Sequence, residues 1–330
     1  MKTGVIMKKK YIPHAEIPVV EHCNLNCKLC NSHAYLVHNS TYPFEQFKKD
    51  VDVLSAHVHF GLITFMGGEP LLCTNLEEYI RYARAHKLAG VYRILTNGLL
   101  LKKMSPTLLS SIDVLEISHY PEMKETVEEL RSFVKPLAKK YGFVYYIKDI
   151  GYFNEIDTVS ISDKEAKEGY KKCTRISYGC SIFNGYYYKC MRPKTTNLYL
   201  EKVHGIKLEH DLRKTDGIEI SEDNFAQRLD NYLNSTTMLE SCKYCLMGLE
   251  QDNSFCQRFK SLAYKKGWIV KLYYKYSFLY NGYKKIKKQV EYDEGAHTKD
   301  SLYVKTQTHK VLGNKGLKNQ SLTGNESFTS

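Results

Sequence analysis

The sequence predicts an α/β fold in which parallel strands alternate with helices. Short apolar segments at 17–21, 62–66, 92–96, 114–118 and 143–147 have the length and composition of buried strands. The segments between them carry apolar residues at three- and four-residue steps, which is helical spacing. Strands that alternate with helices form βαβ units, and such units place the strands parallel in one sheet.

Each predicted helix has a recognisable start. Pro43 stands at an early helical position, and Thr74 with Glu77 forms a capping box before the second helix. A third helix begins at Ser105-Pro106, and a fourth follows Pro121. The apolar faces of the first and fourth helices consist of Phe44, Phe47, Val51 and Leu54, and of Val127, Leu130 and Val134.

Two features after the fourth helix start are harder to place. Pro136 is expected to kink or end that helix, because proline lacks the backbone N–H of a helix interior. A sixth strand has no clear signal, and we assign it by default to Tyr152–Ser160.

The pattern changes after residue 165. Two aromatic and β-branched segments, 176–183 and 186–190, flank Asn184-Gly185, which is the sequence of a type I′ turn, so a β-hairpin is predicted. An amphipathic helix is predicted from Ser221, with Phe225, Leu229, Tyr232 and Leu233 inward.

Three cysteines directly follow the first predicted strand at the spacing Cys23-x3-Cys27-x2-Cys30. Three thiolates on a 4Fe-4S cluster leave one iron open to a further ligand, whereas a structural zinc site takes four closed ligands. The alternative is a zinc knuckle or buried structural cysteines. A second motif, Gly67-Gly68-Glu69-Pro70, follows the second strand, and taken alone it is typical of a tight βα turn.

These two motifs, in this order, resemble the radical S-adenosylmethionine (SAM) enzymes. The resemblance implies a partial (β/α)6 barrel with its site at the carboxyl ends of the strands. It implies that Cys23, Cys27 and Cys30 hold a 4Fe-4S cluster, and that Gly67, Gly68 and Glu69 receive the amino group of SAM. It also implies a contact of Ser118 with the ribose, and a place for Thr96 and Asn97 facing cofactor or substrate.

The same resemblance implies the chemistry. A reduced cluster passes an electron to the sulfonium of SAM and releases a 5′-deoxyadenosyl radical, so an electron donor such as flavodoxin or ferredoxin is required. Many relatives carry an aromatic residue before the third cysteine, at a position associated with adenine stacking. This chain departs from that pattern with Leu29.

A second cysteine set comprises Cys173, Cys190, Cys242 and Cys245. A pair joined by a hairpin plus a CxxC favours a four-thiolate site, which the residues alone leave open to zinc or iron-sulfur. After a radical SAM barrel, the pattern C-x11-G-x4-C followed by CxxC resembles the twitch domain, a shortened SPASM domain, and implies a second 4Fe-4S cluster. Cys180 competes with Cys173 as the first ligand, and we favour Cys173.

We therefore divide the chain into an N-terminal extension (1–14), a radical SAM partial barrel (15–165), a twitch-like auxiliary domain (166–258), a basic amphipathic segment (259–290) and a tail expected to be disordered (291–330). The cysteines cluster at metal-ligand spacings and no secretory signal or apolar span is recognised, which predicts a cytoplasmic protein.

The function implied is that of an oxidoreductase that takes hydrogen from a carbinol carbon of a small-molecule or sugar substrate. A radical epimerase is an alternative, in which a spare cysteine (Cys73, Cys180 or Cys256) would return a hydrogen. A peptide-modifying maturase is another, although only about sixteen residues precede the first strand, where such enzymes often carry a peptide-recognition domain. A non-catalytic iron-sulfur protein is a third, which the complete motifs disfavour.

The net charge of +12 is concentrated in one segment. Residues 260–288 contain nine lysines and no acidic residue, which leaves +3 for the rest of the chain. Within it, Trp268–Lys288 reads as a basic amphipathic helix, which either packs as core or lies peripherally on an anionic membrane at its inner face. Nucleic acid is a weaker option, because the rest of the chain adds no basic surface.

Overall fold

The computed structural model describes residues 9–27, 29–120, 123–150, 152–154, 156–178, 180–249 and 256–258. The predicted amphipathic helix at Trp268–Lys288 and the predicted disordered tail from 291 lie outside these ranges.

A parallel sheet of five strands forms the centre of the fold. The strands are β1 (Lys10–Val20), β2 (Val58–Gly67), β3 (Ala89–Thr96), β4 (Val114–His119) and β5 (Val144–Asp149). They pair in parallel in the order β5-β4-β3-β2-β1. The predicted parallel α/β sheet is confirmed, and β1 and β2 begin earlier than their apolar segments indicate.

A helix precedes each of the strands β2 to β5. These helices are α1 (Phe44–His57), α2 (Leu76–Ala85), α3 (Pro106–Ser111) and α4 (Val127–Tyr141). Thr126 and Glu129 close a capping box at the start of α4. Pro136 does not end α4, which continues to Tyr141. Pro136 and Ser132, whose carbonyl loses its helical partner, are both exposed, so water can reach the freed group.

The predicted sixth strand at Tyr152–Ser160 is wrong as a member of this sheet. Among the described residues of this segment, the one strand is β6 (Tyr152–Asn154), and it pairs antiparallel with Cys256–Arg258. The backbone that follows is engaged by the second CxxC: Asp157 forms a β-bridge with Cys245, and the Ile161 N–H donates to the Lys243 carbonyl at 2.9 Å. These bonds hold the segment away from β5.

Further elements follow β6. The helices are α5 (Asp163–Lys172), α6 (Thr174–Tyr178), α7 (Pro193–His204), α8 (Leu212–Asp216) and α9 (Phe225–Asn234). The strands are β7 (Ser181–Phe183), β8 (Tyr186–Tyr188), β9 (Gly217–Glu219) and β10 (Cys256–Arg258). The helix predicted from Ser221 begins at Phe225, which is buried together with Leu229.

The predicted hairpin is confirmed as β7 and β8. Asn184 and Gly185 have φ of 46° and 86°, as a type I′ turn requires. Its first arm is shorter than predicted, because residues 174–178 form α6. Strand β7 lies parallel to β1, with Ser181 opposite Glu16, so the hairpin and β9 extend the central sheet.

The two faces of the parallel sheet differ in polarity because side chains alternate along each strand. Ala15, Ile17 and Val19 of β1 are fully buried in a core that includes Phe47 and Tyr79 of the helices. The opposite face carries polar side chains from all five parallel strands, among them His14, Thr64, Arg93, Glu116 and Tyr146. In the described ranges, no helix is both long and apolar enough to span a bilayer.

Candidate cofactor site

The three-cysteine loop leaves the carboxyl end of β1 and folds around a small apolar cluster. Leu25 and Cys27 are its buried centre. The partly buried side chains around them are Cys23, Cys30, Leu99, Tyr120, Ile150 and Phe153. The loop thus gathers its three cysteines on one shielded patch, at the edge of the sheet where α/β proteins place their sites.

The thiols of this loop influence one another electrostatically. Burial raises the pKa of Cys23 to about 12, and the charges of Glu69 and Cys30 add to the effect. Burial also raises the pKa of Cys30, and burial together with Cys27 and Cys30 raises the pKa of Tyr120. Neighbouring buried thiolates need a strongly cationic partner, because a bound cation lowers the thiol pKa values that burial raises.

Within the described ranges, no group of three or more His, Cys, Asp or Glu side chains is arranged around a single metal ion. A 4Fe-4S cluster is much wider than one ion, so its thiolate ligands stand further apart. The donor set of this loop is three thiolates, which is the set of a cluster with one open iron, whereas a structural zinc site takes four ligands.

Gly67 and Gly68 let the end of β2 approach the cysteine loop. A Cβ at Gly67 would lie 1.9 Å from the Val20 carbonyl oxygen, and one at Gly68 would lie 1.9 Å from that of His22. The Gly68 N–H donates to Val20 at 2.9 Å, and the Glu69 N–H donates to His22 at 3.0 Å. No other residue type fits here, so the two glycines fix the start of the cysteine loop.

Glu69 is fully buried below the same edge. Its Oε1 accepts from the Thr96 hydroxyl at 2.7 Å and from the Leu71 N–H at 3.0 Å, and its Oε2 accepts from the Asn97 N–H at 2.7 Å. A carboxylate offers about four acceptor sites, so one remains. Burial outweighs these bonds and raises the pKa of Glu69 to about 7.

Asn97 joins Glu69 to the cysteine loop. Its side-chain amide donates to Asn24 Oδ1 at 2.7 Å and points at Cys23 Sγ, 3.6 Å away. Ser118, near the end of β4, shares a hydrogen bond with Tyr120. The structure therefore brings together the residues predicted at this edge. It adds Tyr120 and Phe153, whose rings meet edge to face with centroids 6.1 Å apart.

The second cysteine set also converges. Cys173 caps the end of α5, Cys190 follows β8, and Cys242 and Cys245 lie in and just after the 3₁₀ turn Glu240–Tyr244. All four line one cavity of about 760 Å³, measured with the space at its mouth. Burial raises the pKa of Cys190 to about 12, with Cys245 and Cys173 adding to it.

Cys180 lines the same cavity but is engaged elsewhere. Its thiol donates to the His14 carbonyl at 3.2 Å, and it hydrogen-bonds Tyr187. Cys173, in contrast, contributes to the raised pKa of both Cys190 and Cys245. The nine cysteines whose side chains the structure describes are all free thiols.

Residues 17–131 match the family model described as "Radical SAM superfamily". The chain contains a radical SAM domain. The matched range includes the three-cysteine loop, the Gly67–Pro70 motif, Asn97 and Ser118, and it ends before the second cysteine set.

Curated relatives share parts of the chain. The S-adenosylmethionine-dependent nucleotide dehydratase of Flammeovirga pacifica is 33% identical over 96 residues, which are 28% of this chain and 32% of that protein. The nucleotide dehydratase of Lacinutrix mariniflava is 26% identical over 238 residues, 69% of this chain and 46% of that protein. The GTP 3′,8-cyclase of Helicobacter pylori is 28% identical over 142 residues, which are 38% of this chain and 44% of that protein. The chain spans less than half the length of each of these relatives.

Solved structures to which the chain is similar include BtrN in complex with AdoMet and 2-DOIA. It is 18% identical, with a TM-score of 0.46, and the alignment covers 76% of this chain and 100% of that one. Another is anSMEcpe with bound AdoMet, which is 17% identical with a TM-score of 0.35. The alignment covers 58% of this chain and 59% of that one.

Buried ion pairs that the sequence did not reveal connect the radical SAM domain to the second cysteine set. Lys194 Nζ contacts Glu21 Oε1 at 3.0 Å, and both side chains are buried. Glu21 stands two residues before Cys23, and it also accepts from the Ser40 hydroxyl at 2.6 Å. No local motif could have found this pair, because its partners are 173 residues apart.

A second buried group joins the same two regions. Asp157 pairs with Arg192, two residues after Cys190, and lies 3.1 Å from Nε2 of His33, three residues after Cys30. The hydrogen bond with His33 and the charge of Arg192 hold the pKa of Asp157 below its usual range, although burial opposes this.

The polar face of the radical SAM domain's sheet is also a connected network. Arg93 donates to Thr64 at 2.9 Å and to the Tyr146 phenol at 2.6 Å, and it pairs with Glu116 at 2.9 Å. Burial and the charge of Arg93 lower the pKa of His14 to about 3, so this imidazole is neutral at physiological pH. The interior behind the cofactor site is therefore hydrophilic.

Proposed function

We propose that this chain is a radical SAM oxidoreductase that removes hydrogen at a carbinol carbon of a small-molecule or sugar substrate. The observation that carries the proposal is the cavity in which Cys173, Cys190, Cys242 and Cys245 converge. The same cavity is lined by Asn31, the residue after Cys30. A four-thiolate cluster has no open iron and suits electron acceptance, and here it would lie next to the first cysteine loop.

The residues of the first site have distinct roles in this proposal. Cys23, Cys27 and Cys30 would hold the first 4Fe-4S cluster, and the one free acceptor site of Glu69 would face the SAM amino group. When bound, these groups supply reductive cleavage of the sulfonium and the hydrogen-abstracting 5′-deoxyadenosyl group. An external one-electron donor such as flavodoxin or ferredoxin would be needed.

The chain's own contribution is to orient and to shield. Thr96 and Asn97 fix both oxygens of the Glu69 carboxylate, so that carboxylate needs no reorganisation on binding. Leu25, Tyr120 and Phe153 cover the cysteine loop with apolar surface. This cover keeps water from a reactive site.

Several features support a hydroxyl-rich substrate. The network around Arg93 makes the sheet interior polar. The spacing of the second cysteine set resembles 2-deoxy-scyllo-inosamine dehydrogenase, a radical SAM alcohol oxidase. The names of two curated relatives refer to nucleotides, whose ribose also carries carbinol carbons. Sugars, cyclitols and nucleotides therefore form the substrate panel.

The test uses panel members deuterated at single carbinol carbons, with reconstituted protein, SAM and dithionite. We expect one deuterium from the substrate in 5′-deoxyadenosine, together with a ketone product two hydrogens lighter. Failure of every panel member to label 5′-deoxyadenosine, with labelling from a deuterated peptide instead, would show a peptide-modifying maturase.

An epimerase is the second candidate, because the Cys180 thiol lines the cavity and could return a hydrogen. In heavy water an epimerase would place solvent deuterium on the substrate carbon and leave the product mass otherwise unchanged. Such deuterium in the product would contradict the dehydrogenase and support this alternative.

The affinity for SAM is expected to fall as the pH is lowered through about 7. The Glu69 carboxyl, with its pKa raised to about 7, is protonated below that pH, and its proton must leave before it accepts the SAM ammonium group. Linkage then predicts a loss approaching tenfold per pH unit well below the pKa. Equilibrium dialysis from about pH 5.5 to 7 measures it, because the amino group itself loses its proton only near about pH 8.

The matched control for this titration is Glu69→Gln, which keeps the shape and cannot ionise. Its SAM affinity should be weaker and nearly independent of pH over the same range. An equal pH dependence in the variant and the wild type would assign the effect to another group.

A further inference from the structure

Arg192 is held between the two cysteine sites through one nitrogen of its guanidinium. Its side chain is 6% exposed, and its Nη2 donates to Oδ1 of Asp157, which also faces His33. Arg192 also lines the cavity that contains the four cysteines of the second set. Against the effect of burial, the charge of Asp157, followed by the charges of Cys245 and Cys190, raises the pKa of Arg192.

The other two guanidinium nitrogens have no hydrogen-bond partner among the described residues. Nε and Nη1 of Arg192 are buried there without a hydrogen-bond acceptor. Buried N–H groups are nearly always paired, and an exception calls for an explanation such as an absent ion or ligand. Arg192 lines the cavity of the second cysteine set, so a group bound in that cavity is the candidate acceptor.

We propose that Arg192 donates from at least one of these nitrogens to a sulfur atom of the cluster held by Cys173, Cys190, Cys242 and Cys245, and thereby raises the reduction potential of that cluster. The inference rests on the proposed function, and it assigns a positioning residue to the electron-accepting step. Asp157 fixes the orientation of Arg192 and offsets part of its charge.

The sign of the change in reduction potential follows from the positive charge of Arg192. Reduction adds one negative charge to the cluster, and N–H donors with a positive charge stabilise that reduced form more than the oxidised form. A cluster that receives a hydrogen bond from Arg192 therefore accepts an electron more readily. Lysine would keep the charge but lose the planar guanidinium, which can pair with Asp157 through one nitrogen and donate from another.

The experiment is a potentiometric titration followed by electron paramagnetic resonance on the full chain. The background carries Cys23→Ala, Cys27→Ala and Cys30→Ala, so that only the second cluster contributes. Arg192→Gln should lower the midpoint potential, with a loss of about tenfold in the reduction equilibrium, which is about 59 mV for one electron. Arg192→Lys should give a smaller shift of the same sign, and Asp157→Asn a shift of opposite sign.

Each result has one meaning. An unchanged potential in Arg192→Gln, at about four irons per chain, would overturn this inference alone. Loss of iron from a folded Arg192→Gln protein would show a structural role and also overturn it. If Arg192→Gln does not fold, the opposite signs expected for Arg192→Lys and Asp157→Asn decide the question. Absence of iron from the background itself would refute the second cluster, and with it the proposed function.

Discussion

Replacing Cys23, Cys27 and Cys30 together by alanine is expected to abolish SAM cleavage and to leave about four iron atoms per chain. The three thiols lie on one shielded loop after β1, next to Glu69 and Asn97. Without them no open iron is available to receive the cofactor. Iron and sulfide analysis of anaerobically reconstituted protein, with chromatography of 5′-deoxyadenosine, measures both effects.

The matched control is Cys73→Ala, a buried cysteine whose thiol donates to Asn75 and which lies outside both cysteine sets. It should keep about eight irons and full cleavage. Formation of 5′-deoxyadenosine by the triple variant would contradict the assignment of the first site.

Replacing Cys242 by alanine is expected to stop product formation while the first cluster and SAM cleavage persist. Cys242 lies in the cavity of the second set, where burial, Cys190 and Cys245 all raise the pKa of its thiol. Removing one of four ligands should release that cluster and leave about four irons. The readout is iron content together with the yields of 5′-deoxyadenosine and product.

Two further variants assign the remaining ligand of the second set. Cys173→Ala should behave as Cys242→Ala does, whereas Cys180→Ala should keep about eight irons. Cys180 already donates its thiol proton to the His14 carbonyl. The reverse pattern would make Cys180 the ligand, and full turnover in Cys242→Ala would remove the second cluster from the reaction.

Local patterns predicted the parts of the fold that depend on neighbouring residues. The five parallel strands are short apolar segments bounded by helices, and the hairpin turn follows from Asn184-Gly185. The prediction of a sixth strand at Tyr152–Ser160 is wrong because the conformation of this segment depends on backbone hydrogen bonds to the Cys242–Cys245 segment, which is distant in the sequence. Such long-range pairing leaves no periodic signal in the sequence.

In the candidate site, too, the residues in contiguous motifs could be predicted from the sequence, and the residues paired over long distances could not. The cysteine loop and Gly67–Glu69 are contiguous motifs, so their residues could be named in advance. Lys194 and Arg192 belong to no motif in the sequence, yet both are buried, against Glu21 and Asp157 respectively. Their partners come from remote segments, and only the folded chain reveals them.

The most direct test of two clusters is the iron content and Mössbauer spectrum of the wild-type chain after anaerobic reconstitution. The proposal predicts about eight irons and eight sulfides per chain, with a spectrum of 4Fe-4S centres. Addition of SAM should change the signal of one iron site in eight, because only the first cluster has an open iron. About four irons per chain, or a spectrum that SAM leaves unchanged, would contradict it.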